Sequence, residues 1–140
     1  MKVERKLMSG SRHCSLGSWL GFADRAGARK IDQLFSGREP LSDEQFFERY
    51  FSNADVSKEV AIGVRRAFIE GLMFDMRRLA PNDSFGDELQ FVWKYDSLAD
   101  VELLCEVEKQ FGVTITEAEG RETVTMGALI RLVDLKVKRN

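Results

Sequence analysis

Ser97 stands between Asp96 and Leu98 at the head of an acid-rich, apolar-striped segment over residues 99–111, and its hydroxyl is the group in this chain best placed for chemistry. Serine is a preferred helix N-cap, because its oxygen accepts a hydrogen bond from an orphan N–H of the first turn. That is the plainer reading. On an exposed helix start the same hydroxyl is also open to modification, and a phosphate attached there would meet free N–H groups and the positive end of the helix dipole. The serine has no base of its own. The single histidine, His13, lies far away in a weakly patterned segment, so no Ser-His-Asp arrangement is indicated. His13 and Cys14 are adjacent but not preorganised as a dyad. One histidine and two distant cysteines, Cys14 and Cys105, supply no tetrahedral metal set. The carboxylates lack the glycine-centred spacing of a calcium loop, and no glycine-rich phosphate loop follows a strand.

The elements that position Ser97 must come from one domain, the natural content of 140 residues. Charges interrupt every hydrophobic stretch before it reaches the roughly 18–20 residues of a membrane span. The N-terminal Met1-Lys2-Val3-Glu4-Arg5-Lys6 is basic, yet residues 9–21 form no continuous hydrophobic region with a cleavage site. Cytoplasmic residence, a reduced buried thiol at Cys105 and a monomeric chain are therefore expected. The net charge of -2 conceals an asymmetry. Through Pro40 there are eight basic residues against four acidic ones, and thereafter thirteen against nineteen. Between residues 82 and 122, eleven carboxylates face only Lys94, Lys109 and Arg121. Such a field repels nucleic acid and attracts basic protein surfaces over about 8–10 Å.

Residues 1–40, rich in Gly, Ser and Arg, read as a loosely ordered extension that allows a short helix over 23–35. Residues 41–140 form the helical domain. Its order begins at Ser42-Asp43-Glu44-Gln45, a capping-box pattern ahead of Phe46, Phe47, Tyr50 and Phe51. A long helix is predicted after Ser57, striped by Val60, Val64, Ala67, Phe68, Gly71, Leu72, Met76 and Leu79, with Arg65, Arg66, Arg77 and Arg78 outside it and Pro81 as its stop. Over residues 85–95 the period changes, and Leu89, Phe91, Trp93 and Tyr95 read as an extended loop laying aromatics on the helices. The next helix starts at Asp96 or Ser97, with Leu98, Val101, Leu104, Cys105 and Phe111 inward and Gly112 as C-terminal cap. Thr125 caps a last helix carrying Ala128, Leu129, Leu132 and Val133 and ending in Lys136, Lys138 and Arg139. No alternation lasts long enough for a sheet. The fold class is all-α, a small helical bundle.

Asp96-Ser97-Leu98-Ala99-Asp100-Val101-Glu102-Leu103-Leu104 resembles the D-S-L-D-x-V-E-L-V motif of the acyl carrier proteins. The likeness runs on without a gap. Glu108-Lys109-Gln110-Phe111-Gly112-Val113-Thr114-Ile115 is similar to that family's E-E-E-F-G-I-x-I, and Thr123-Val124-Thr125-Met126-Gly127-Ala128-Leu129-Ile130 to its I-T-T-V-G-D-A-I. In all, the resemblance covers about residues 57–135. It implies an acyl-carrier-like four-helix bundle, to which residues 1–56, without counterpart in that family, add an N-terminal helical extension. It also implies a carrier rather than an enzyme, with 4'-phosphopantetheine on Ser97, flanked by Asp96 and Leu98, and thioester-bound acyl groups presented to other enzymes.

In such proteins a phosphopantetheinyl transferase delivers the arm from coenzyme A, so the carrier needs no catalytic base. Partner enzymes with basic docking surfaces would meet Asp100, Val101, Glu102, Cys105, Glu106 and Glu108. The chain departs from the motif in three places. Trp93-Lys94-Tyr95 replaces the L-G-x before D-S-L after an apparent four-residue insertion, Ala99 replaces an acidic residue, and Lys109 replaces a common carboxylate. The insertion motivates a rival expectation, an unmodified acyl-carrier-like interaction module that binds a protein through Phe91, Trp93 and Tyr95 or through the acidic face.

Overall fold

The computed structural model describes residues 17–95 and 98–139, with side chains from residue 25 onward. Among these residues are seven helices and no strand, so the chain is a small all-α bundle. In order they are α1 (Gly17–Leu34), α2 (Asp43–Tyr50), α3 (Lys58–Gly71), α4 (Val92–Tyr95), α5 (Ala99–Phe111), α6 (Glu117–Glu122) and α7 (Met126–Arg139). No helix among the described residues is long and apolar enough to cross a membrane.

α3 is the hub, packing against α2, α5 and α7. Its buried face, Val60, Ala61, Val64, Ala67 and Phe68, belongs to one core with Leu103 and Val107 of α5 and Met126, Leu129, Ile130 and Val133 of α7. Several boundaries follow local chemistry. The Ser42 hydroxyl accepts the Gln45 N–H at 3.1 Å while the Gln45 side chain takes the Ser42 N–H at 2.9 Å, closing the expected capping box. Thr125 caps α7 by accepting the Ala128 N–H at 3.0 Å. Gly112 ends α5 at φ +64, a left-handed conformation that glycine adopts at no steric cost.

Three expectations are corrected. First, α3 stops at Gly71 instead of running to Leu79. Leu72, Phe74 and Met76 are buried while Asp75 and Arg77 are exposed, the alternation of an extended segment. A longer helix would also leave the Arg77 carbonyl without its i+4 partner, since Pro81 has no N–H. That carbonyl instead accepts from Arg65 Nη2 at 3.1 Å. Asp75 secures the segment by accepting from the Arg77 side chain and backbone N–H, and these bonds hold its carboxyl down at about 2.

Second, Arg65 does not project outward. It is 3 % exposed, with Nη1 on Asp43 Oδ1 at 2.7 Å and Nη2 on the Leu41 carbonyl at 2.6 Å.

Third, the described part of the expected loose extension is docked. Ile31 and Phe35, one turn apart on and just past α1, are each 1 % exposed within the core. Gly27 makes the approach: a Cβ there would fall 2.3 Å from Phe74 Cζ, so the helix lies directly on that ring. Arg38 follows with a two-pronged contact to Asp83, Nη1 to Oδ2 at 2.6 Å and Nη2 to Oδ1 at 3.0 Å. Residues 1–16, the rest of that extension, lie outside the described residues. Phe35→Ala should lower the unfolding free energy by about 3–5 kcal/mol in a urea titration, the cost of emptying a full aromatic site. A change below about 0.5 kcal/mol, normal for an exposed position, would show that this segment contributes nothing to the fold.

Candidate functional site

Two of the residues singled out in the sequence, Asp96 and Ser97, lie outside the described residues. α5 begins at Ala99, and the cap position falls on Leu98, at φ -101 and with no side-chain cap bond, not on Ser97. Within the first turn Asp100 Oδ1 accepts the Val101 N–H at 2.8 Å.

The inner face of α5 is also rotated from the expected one. Ala99, Leu103 and Val107, four residues apart, are buried. Leu98 and Val101, expected inside, are 58 % and 55 % exposed. A segment with apolar residues at 98, 99, 101, 103, 104 and 105 satisfies more than one helical stripe, and packing against α3 selects the one that starts at Ala99.

The expected partner-facing residues consequently divide. Asp100 and Val101 are exposed, while Glu102, Cys105 and Glu106 are half-buried. Glu108 is committed inside the chain, its Oε2 accepting the Ile115 N–H at 2.7 Å and so folding the link after Gly112 back onto α5. Cys105 is a free thiol, half-buried rather than fully enclosed.

Beside α5 lies a partly open cleft of about 660 Å3. Val101, Leu104 and Cys105 of α5 form one wall, and Glu117, Gly120 and Arg121 of α6 form the other. Phe68, Leu103 and Leu129, all in the core, close its base. A third side is aromatic: Phe85 and Trp93 stack at 5.1 Å with 29° between their planes. The volume lies within the usual range of roughly 300–1,000 Å3 for small-molecule sites.

Threonines also line the cleft, but their hydroxyls have other work. Thr116 Oγ1 accepts the Glu119 N–H at 3.1 Å, Thr123 Oγ1 donates to the Glu119 carbonyl at 3.0 Å, and Thr125 Oγ1 caps α7. The inner surface offered to a ligand is mainly apolar.

The loop before α5 is folded as turns followed by the short α4, not as the extended segment expected. Val92, which lies between the every-second-residue positions Phe91 and Trp93, is also buried, at 1 % exposed. Its aromatics face inward: Tyr95 meets Phe74 edge-on at 5.4 Å and Phe91 edge-on at 6.4 Å, and Trp93 is held against Phe85. Phe91, Trp93 and Tyr95 therefore build the wall and core and do not form an outward docking face.

The sequence reading missed α6. Its signal was present in Thr116-Glu117-Ala118-Glu119, a capping box whose second half is the Glu119 side chain on the Thr116 N–H at 2.9 Å. The Thr116 backbone N–H, followed by Lys136 at 3.0 Å, holds the Glu119 carboxyl below the usual glutamate range and ties α6 to α7. None of the six residues of α6 is buried, so this chemistry must substitute for an apolar face.

Among the described residues no cluster of three or more His, Cys, Asp or Glu is placed to hold a metal ion. No protein-family model, curated protein or solved structure matches the chain.

Loss of the cap should be felt locally. Thr116→Ala should cost about 1 kcal/mol and speed amide exchange over residues 117–122, leaving the α3 and α7 amides protected. Unchanged exchange in α6 would mean that the wall is held by something other than its cap.

Proposed function

We propose that the chain is an acyl-carrier-like protein, a carrier and not an enzyme, that bears 4'-phosphopantetheine on Ser97. The observation that carries this reading is the apolar cleft between α5 and α6, which borders the helix that Ser97 introduces. The sequence likeness over residues 57–135 supports it independently. The arm, when attached, supplies the thiol that holds an acyl group as a thioester.

The described residues suit such a group. Leu98 and Val101 are exposed beside the serine's position in the chain, and Val101 also lines the cleft, so apolar surface leads from the helix start to the interior. Burial of an acyl chain there would gain about 0.8 kcal/mol per methylene removed from water. Asp100 and Glu102 in the first turn would guide basic surfaces of a phosphopantetheinyl transferase and of acyl-transferring enzymes, raising encounter rates more than affinity. A cytoplasmic site of action fits this role. The rival, an unmodified interaction module, is left with the acidic face alone, because the rings it would use are packed inward.

Purified protein incubated with coenzyme A and a broad-specificity phosphopantetheinyl transferase should gain one phosphopantetheine by intact mass, and Ser97→Ala should gain none. Absence of the gain with several transferases overturns the carrier reading.

A further inference from the structure

The charge at the mouth of the cleft is lopsided. Asp100, Glu108 and Glu117 line it, and Arg121 is the one cation among the residues that do. The guanidinium, 3.7 Å from Glu117, offsets one of the three, which leaves an excess of two carboxylates along the cleft. Glu108 cannot swing away, because its Oε2 is bonded to the Ile115 N–H at 2.7 Å. Behind this acidic rim the lining is mainly aromatic and aliphatic, and the Thr116 and Thr125 oxygens in it already accept backbone N–H groups.

We infer that the cleft selects its occupant by charge: it takes an apolar acyl chain whose carbonyl end is neutral, as an ester or thioester, and rejects the same chain as a free carboxylate. Two parts of the site act together. The apolar interior binds either chain alike, since burial of methylenes does not depend on the head group. The rim then discriminates, because a carboxylate at the mouth must lose part of its hydration beside Asp100, Glu108 and Glu117. A unit charge within a few ångströms of a fixed like charge at a wet surface is disfavoured by about fivefold in binding, and two or three of them by more.

This inference rests on the carrier reading for the identity of the cargo. For such a carrier the consequence is specific: a tethered thioester is retained, whereas the acid left by its hydrolysis is released and does not block reloading.

The test uses the full unmodified chain, so it reads separately from the mass gain at Ser97. A neutral fluorescent hydrophobe bound in the cleft is displaced with methyl decanoate or with decanoate, both below their aggregation limits. Methyl decanoate should displace it at about tenfold lower concentration. The variant Asp100→Asn with Glu117→Gln, two exposed positions whose change leaves the core intact, should tighten decanoate about fivefold while leaving the ester unchanged. Gly120→Leu should weaken both ligands, because even its Cβ would come within 3.1 Å of Leu104 Cδ1 inside the cleft. Equal binding of ester and acid overturns the inference. So does an ester preference that the double variant leaves intact, which would be ordinary hydrophobicity. Failure of methyl decanoate to displace the probe overturns it as well, while the modification of Ser97 would still be judged by mass.

Discussion

The buried guanidinium of Arg65 is the constraint on which the N-terminal half of the bundle depends. A cation 3 % exposed is tolerated only if its donors find acceptors, and these come from two separate segments: the Leu41 carbonyl and the Asp43 carboxylate at the start of α2, and the Arg77 carbonyl beyond α3. Their positions are thereby fixed relative to α3. Its Nε has no hydrogen-bond partner, and the guanidinium carbon lies 5.0 Å from the centre of the Phe46 ring, whose face offsets part of the buried charge. With Arg77 held, the extended stretch that precedes it presents Phe74 and Met76 to the core. Phe74 then receives α1 at Gly27 and the rings of Phe91 and Tyr95. One cation thus organises the support beneath the loop that leads to Ser97.

What was legible in the sequence was what short-range chemistry decides. The caps at Ser42 and Thr125 and the stop at Gly112 each need only residues within four positions, and each is found as expected. The all-α class followed from the same local patterns. Where the reading failed, two patterns were superposed or the partner lay far along the chain. Phe68, Leu72 and Met76 are spaced by four, which suits a helix and an alternating segment equally, and Pro81 with Arg65 decides between them. The docking of Ile31 and Phe35 could not be seen because their neighbours, and the Asp83 that binds Arg38, are tens of residues distant.

The candidate site was legible in its helix and not in its orientation. Residues 99–111 were recognisable as a helix with acid on its surface, and Asp100 stands exposed as expected. Which apolar residues turned inward was set by α3, and the outcome left Leu98 and Val101 in solvent. Val101 lines the cleft, and Leu98 stands exposed three residues before it.

The second wall of the cleft is a different kind of structure from the first. α5 is fixed by Ala99, Leu103 and Val107 in the core, so its side of the cleft is as stable as the bundle. α6 buries no residue, and it is held by a capping box, by Lys136 on Glu119 and by Thr123 beneath its end. Partly exposed polar contacts of this kind are individually weak and can be broken without disturbing the core. The cleft therefore has one rigid wall and one that can yield. Displacing α6 costs little, while α5, packed into the core, keeps its place.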